Sequence, residues 1–480
     1  MTRDLRRWID QVNSMGMLRE VKSANWNLDI GAITDMNVKK HKHAMLFDNI
    51  KDYPSGFRVL TGALLDSKRV ALSLNLSETL GDLDLVNELR KRVANITFKS
   101  EKFAPKTVKN ASFTQNVDRG ESIDFYKFPS PKWFYLDGGR YIGTSDAVIT
   151  RDLDSGWVNV GTYRIMVSDK NTLCILMEAS RHGRFQVQKY FDAGKPCPVV
   201  VSFGHHPSLS LIAGIEAPTG VSEFDYLGSL TEESYEVVEG PITGLPIPAD
   251  SEIVVEGFIT NEMRSEGPLG EFVGYYTAGT FQTPTIKPEA VYYRNDPIIL
   301  GTCAGKPPHD YNYFRCPMRA ALIWDILEKA GVPGVQGVWC HEAGYSRAFN
   351  VVSMRQIYAG QARMAGHVAN QSRPGAVSGR WTVVVDEDID PANLDEVVWA
   401  MSSRCDPATG IDIVNQALGT PLDPIADEPP GTAIVEYSNS RGIIFAVKPF
   451  KKLHRGEFPK VVEADEETKQ RVSREHPSIL

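Results

Sequence analysis

Leu5, Trp8, Ile9, Val12 and Met15 recur at helical spacing and Gly16 supplies a stop, so the chain opens on an amphipathic helix. The apolar run Ala44–Phe47 reads as a strand. From Ser77 to Ile96 the helical period returns, with Leu83, Leu85, Val86, Leu89 and Val93 mostly on one side. This first part is therefore expected to be α/β.

The pattern then changes. Trp157–Val167, Thr172–Met177, Ser251–Ile259 and Glu289–Leu300 are rich in β-branched and aromatic residues, with turn chemistry at Asp169-Lys170-Asn171 and Arg294-Asn295-Asp296-Pro297. Antiparallel strands joined by short turns are predicted, curled into a barrel or strongly coiled sheet. A helix follows, opened by Pro317 and closed by Gly331, with Leu322, Ile326 and Leu327 as its buried stripe. Trp381–Asp386 reads as a strand, and Asp390-Pro391 caps a helix whose inner face is Leu394, Val397, Val398 and Met401. That order predicts a second α/β unit. The charged stretch after Phe450 reads as a terminal helix or an arm.

With 42% apolar and 23% charged residues, the 480-residue chain is expected to be globular and to hold two or three domains. A net charge of -8 disfavours a broad nucleic-acid surface. None of the six cysteines forms a Cys-x-x-Cys pair, so reduced thiols of a cytoplasmic protein are expected. No signal-peptide core opens the chain, and no apolar run approaches the ~18 residues of a membrane span.

Phosphate-binding glycine loops, the Gly-x-Ser-x-Gly elbow and His-Glu-x-x-His are absent. Two segments stand out instead. In Glu266-Gly-Pro-Leu-Gly-Glu271 a rigid turn presents two carboxylates, either as a solvated hairpin tip or as an acid–base pair that needs a nearby arginine. In Asn159-Val-Gly-Thr-Tyr-Arg164 the polar ends, five apart in a regular strand, face opposite ways unless a bulge at Gly161 re-aims one. His182 beside Arg181 reads alone as a surface histidine, and Glu223 as a first-turn helix residue. His205-His206 tempts as a metal pair, but adjacent side chains diverge in a strand, so both are taken as structural.

Taken in order, Asn-x-x-x-x-Arg, His, Gly-Val-Ser-Glu and Glu-Gly-Pro-x-Gly-Glu resemble the UbiD family of prenylated-FMN-dependent decarboxylases. The likeness extends from Asn27–Thr34 and Leu46–Ile50 to Ser403–Asp406 and Thr420–Leu422. It implies an α/β (α+β) fold: an N-terminal α/β segment (1–110), a flavin-reductase-like split β-barrel (111–316), a linking helix (317–332), a C-terminal α/β oligomerisation domain (333–450) and a tail (451–480).

The resemblance also implies roles. Arg164, Glu266 and Glu271 match the catalytic triad: Arg164 binds the carboxylate to be lost, Glu266 holds Arg164, and Glu271 delivers the replacing proton. Asn159, His182 and Glu223 match ligands of a divalent metal, usually Mn2+, that bridges to the flavin phosphate, with K+ commonly beside it. Arg181 and Arg404 fall near that site. The family's phosphate-site lysine has no counterpart in Gln371–Gly379, where Arg373 is the substitute. Arg315, Thr420, His309 and Phe272 fall around the substrate pocket. Arg315 either meets a polar or anionic substituent or merely caps the loop before the Pro317 helix. The implied reaction is non-oxidative decarboxylation of an aromatic, heteroaromatic or α,β-unsaturated acid by a homodimer or hexamer, with a flavin prenyltransferase as cofactor supplier. Physiological carboxylation at the same site, or a non-catalytic flavin-binding paralogue, are the alternatives.

Overall fold

The computed structural model describes residues 3–96, 101–178, 181–215, 217–277, 279–426 and 436–476. Its first helix, Leu5–Ser14, is capped by the Asp4 carboxylate and buries Leu5, Trp8, Ile9 and Val12. A four-stranded sheet follows, in the order Leu18–Lys22, Ala44–Asp48, Arg58–Thr61, Ile298–Leu300. The sequence pattern predicts the last of these strands as part of one run, Glu289–Leu300. The turn at 294–297 instead carries the chain out of one sheet and into another, where Ile298–Leu300 pairs in parallel with Arg58–Thr61.

The central sheet has nine strands, and every pairing in it is antiparallel. Its path runs Tyr141–Gly143, Arg164–Asp169, Thr172–Leu176, Phe281–Tyr293, Ile253–Glu266, Cys197–Ser202, Ala147–Arg151, Val158–Gly161, with Asn116–Arg119 attached to Phe281–Tyr293. The expected strand Trp157–Val167 is thus two strands. They lie six steps apart along the path, which in a flat sheet would be about 29 Å. Yet only Thr162 and Tyr163 join them, a reach of at most ~11 Å. The sheet must therefore curl until its ends approach, which makes it a split barrel. Ile165, Ile175, Val199, Val201, Val255 and Ile286 fill its interior.

The linking helix, Arg315–Lys329, starts two residues before Pro317 and buries Ala320, Ile323, Trp324 and Leu327, whereas Leu322 and Ile326 are only half-buried. Its apolar face shares one core with Leu85 and Leu89 of the helix Asp82–Asn95 and with Val338, Trp339 and Met354 of the C-terminal sheet. That sheet is mixed, in the order Val335–Cys340, Phe349–Met354, Trp381–Asp386, Ser438–Ala446, Ile411–Leu418. The helix Leu394–Arg404 is capped by Asn393, not Asp390, and buries Val397 and Ala400 while Leu394 and Val398 face solvent. Asp390 instead turns the approaching loop by accepting from the Ala392 N–H. Short helices Phe450–His454 and Glu466–Glu475 end the described chain. All six cysteines are free thiols. Among the described residues no helix is long and apolar enough to cross a membrane.

Candidate active site

Curling the sheet brings its charged strand ends together. Arg164 opens its strand, and Glu266 closes the strand Ile253–Glu266. One guanidinium nitrogen of Arg164 donates to Glu266 at 2.9 Å and the other to Glu271 at 2.7 Å. The Tyr141 hydroxyl donates to the second oxygen of Glu266 at 2.7 Å. Gly267 makes this geometry accessible. It adopts φ +93°, and a Cβ there would lie 2.7 Å from the Gly279 carbonyl and 3.3 Å from the Arg164 guanidinium. The buried Asp137 braces the turn, accepting from the Tyr276 hydroxyl at 3.0 Å and the Phe134 N–H at 2.8 Å.

The electrostatics separate the two carboxylates. Glu266 is fully buried, while the Glu271 side chain keeps 15% of its surface open. Burial pushes the Glu271 pKa up to about 7; Arg164 opposes this, and the charges of Glu178 and Glu266 add to it. Burial also works against the Arg164 charge, but Glu271 and Glu266 outweigh it and hold that pKa above its ordinary value. Arg164 and Glu271 line a cavity of about 150 Å³, partly open to solvent, together with Leu176, Phe272, Arg315 and Arg347.

A second cavity collects Asn159, His182, Glu223, Arg181 and Arg373. Asn159 lies on the strand Val158–Gly161, while His182 and Glu223 each begin a helix. Glu223 is buried, accepts from the Val160 N–H at 2.6 Å, and has its pKa raised to about 7 by burial. The Asn159 amide nitrogen and the Ser222 hydroxyl are buried without a hydrogen-bond partner. An amide oxygen, an imidazole and a carboxylate lining one cavity, beside the unsatisfied Ser222 hydroxyl, fit a divalent transition-metal cation. Tyr163 and Arg181 line both cavities and form the wall between them.

Arg315 has both features that the sequence set against each other. It caps its loop, donating to the Gly214 carbonyl at 3.1 Å and to the Tyr311 carbonyl, and it also lines the first cavity. Phe272 lines that cavity as well. Three expected site residues lie elsewhere. His309 is buried behind the wall, 2.9 Å from the Phe272 carbonyl and 2.8 Å from the Asn312 amide, and burial lowers its pKa to about 4, so it props the loop as a neutral ring. Thr420 lies past the strand Ile411–Leu418, where its hydroxyl accepts from the Leu422 N–H, and it lines neither cavity. Arg404 also lines neither, because Asp388, at 2.8 and 2.9 Å, and Asp386, at 3.2 Å, hold it within the C-terminal unit. Sequence reasoning missed Tyr141, Glu178 and Arg347, none of which lies in a distinctive motif.

Family models of 3-octaprenyl-4-hydroxybenzoate carboxy-lyase match this chain along nearly its whole length: the N-terminal domain at 9–92, the Rift-related domain at 106–307 and the C-terminal domain at 312–445. The chain belongs to the UbiD family of carboxy-lyases. Pyrrole-2-carboxylic acid decarboxylase of Pseudomonas aeruginosa is 32% identical over 88% of this chain and 87% of its own. Among solved UbiD-class structures, vanillic acid decarboxylase of Sedimentibacter hydroxybenzoicus in its open form superposes with TM-score 0.85 at 26% identity, covering 99% of this chain and 98% of that one. An evolved dimeric HmfF from Pelotomaculum thermopropionicum, in complex with prFMN, gives TM-score 0.81 at 25% identity, covering 96% and 97%.

Proposed function

We propose that the protein is a prenylated-FMN-dependent decarboxylase of an aromatic, heteroaromatic or α,β-unsaturated acid. One observation carries this reading: a single arginine is forked between a buried carboxylate and a second one whose pKa lies near neutrality, beside a cavity with room for a ligand. Asn159, His182 and Glu223 would hold a divalent metal, manganese in this reading, and Arg181 and Arg373 supply cations for a phosphate at the same place. When bound, the prenylated flavin supplies the electron sink that side chains lack.

The protein's own residues do the rest. Two of the five N–H donors of Arg164 are taken by Glu266 and Glu271, and its Nε–H is buried without a partner, so donors remain for a substrate carboxylate. Glu266, fixed by Tyr141, keeps the guanidinium aimed. As the carbon–carboxylate bond breaks and carbon dioxide leaves, protonated Glu271 gives its proton to that carbon. Its partly open side chain then regains a proton from solvent. A pKa near 7 suits that exchange.

The test is protein made with and without a co-expressed flavin prenyltransferase, assayed for carbon dioxide release from benzoic, heteroaromatic, polycyclic and cinnamic acids. Turnover that depends on the prenyltransferase is expected. A flavin-free protein under both conditions would overturn the reading.

A further inference from the structure

Where the C-terminal unit meets the barrel, two consecutive non-glycine residues adopt a left-handed backbone. Tyr345 has φ +45° and Ser346 φ +59°, in the connection between the strands Val335–Cys340 and Phe349–Met354. Residues with a Cβ disfavour this conformation, and it persists only where the surroundings over-determine it. Here they do. The Tyr345 N–H donates to the Glu342 carbonyl at 2.8 Å, the Ser346 N–H to the His341 carbonyl at 2.9 Å and the Ala348 N–H to the Gly344 carbonyl at 2.7 Å. Ser346 is fully buried. The turn is also braced from outside, because Glu342 pairs with Lys42 of the N-terminal segment at 3.4 Å.

This strained turn aims a ring at the loop that carries Glu271. Phe272 follows Glu271 directly and lines the first cavity with it. Tyr345 meets the Phe272 ring edge-on, with centroids 5.8 Å apart and planes at 67°, and the Arg347 guanidinium lies 5.1 Å from the same ring centre. An edge-on aromatic pair is a directional contact, so it fixes where the ring sits. The barrel side holds the loop's backbone. The Glu271 N–H donates to the Tyr275 carbonyl at 3.1 Å, the Gly274 N–H to the Glu271 carbonyl at 2.8 Å, and the His309 ring sits 2.9 Å from the Phe272 carbonyl. The Phe272 side chain is thus gripped from the opposite side, by the C-terminal unit. Tyr345 itself does not line the cavity.

We propose that Tyr345 is a positioning residue for the proton donor: by clamping Phe272 across the boundary between barrel and C-terminal unit, it keeps water from the Glu271 carboxyl. This rests on the decarboxylase reading and adds to it a residue that touches no reacting atom. Burial is the largest cause of the raised Glu271 pKa, so the shielding that Phe272 provides is what the donor depends on. Among the described residues, the charged groups that face Glu271 are Arg164, Glu266 and Glu178, with Arg181, Arg315 and Arg347 across the cavity; the phenols there are Tyr163 and Tyr311. A substitution at Tyr345 removes none of them. Burial also raises the pKa of the Tyr345 hydroxyl above its ordinary value, so this residue stays neutral wherever Glu271 titrates.

The test is the pH dependence of carbon dioxide release by prenylated-FMN holoenzyme carrying Tyr345→Asn or Tyr345→Phe. Asparagine tolerates the left-handed backbone, so Tyr345→Asn removes the ring without adding strain, whereas Tyr345→Phe keeps the ring. Tyr345→Asn is expected to move the falling limb down by about one pH unit, with flavin content unchanged. Turnover then drops about fivefold at pH 7 and stays near wild type at pH 5. Tyr345→Phe should match wild type. Phe272→Ala should move the limb the same way, and adding Tyr345→Asn to it should move the limb little further. If Tyr345→Asn does not fold, Tyr345→Leu takes its place. A limb that stays or moves up, a loss equal at every pH, additive shifts, or loss of flavin would overturn the proposal. If wild type turns over no acid, the decarboxylase reading fails, and melting temperatures still test the clamp. At pH 8, Glu271→Gln should gain less in the Tyr345→Asn background than in wild type; an equal gain overturns the proposal.

Discussion

Replacing Glu266 by glutamine removes one negative charge from beside Arg164 and leaves the side-chain shape unchanged. Glu266 and Glu271 take different nitrogens of one guanidinium, at 2.9 and 2.7 Å, which puts the two carboxylates on the order of 5 Å apart. At an effective dielectric constant of about 20, charges at that distance couple by roughly 3 kcal/mol, or about two pKa units. Burial is the largest cause of the raised Glu271 pKa of about 7 and Glu266 is among the charges that add to it, so removing Glu266 lowers that pKa, with the full coupling as the upper limit. The proton donor must be protonated to act, so activity falls as pH rises through its pKa. At pH 7 the protonated fraction drops from about one half, and activity falls by up to roughly fiftyfold if the full coupling is expressed. The assay is initial carbon dioxide release from pH 5 to 9, at matched flavin content, for wild type and Glu266→Gln. The variant should recover toward wild-type rates near pH 5. A variant whose falling limb stays near pH 7 would refute the coupling on which this argument depends.

Tyr141→Phe strips a buried oxygen of Glu266 of its 2.7 Å donor, at a cost of about 1–3 kcal/mol; a lower melting temperature and a roughly tenfold lower kcat/KM are expected. Glu271 has a folded pKa raised from 4.5 to about 7, so its contribution to stability is full below pH 4.5 and is lost as pH rises through 7. Glu271→Gln should therefore melt a few degrees above wild type at pH 8, from up to about 3 kcal/mol, and show no gain at pH 4, by scanning calorimetry. Glu223→Gln removes the carboxylate that, among the described residues, lines the second cavity; metal analysis and the flavin absorbance should both fall to a small fraction of wild type, as they should on prolonged dialysis of wild type against a chelator.

What the sequence revealed follows from the range of each signal. The hairpin at Asp169–Asn171 and the strand Trp381–Asp386 were readable because turn chemistry and a β-branched run are local. Asn159 and Arg164 look like neighbours on one strand, but Thr162 and Tyr163 carry the chain across the barrel seam, so one faces the second cavity and the other the first. Closure of a sheet is a long-range property that no residue window contains. The Glu266–Glu271 turn was conspicuous, and its glycines do carry the geometry the site needs. Arg404 and Thr420 line neither cavity, and motif position could not reveal that two aspartates hold the arginine within the C-terminal unit. Arg347 was invisible because its relevance comes only from the packing of the C-terminal unit against the barrel.

Turnover by Glu271→Gln tests the central claim most directly. The account predicts at least a thousandfold loss of carbon dioxide release, with flavin content and a cooperative melt retained, because an amide cannot donate the proton that replaces carbon dioxide. Release at near wild-type rate would contradict it.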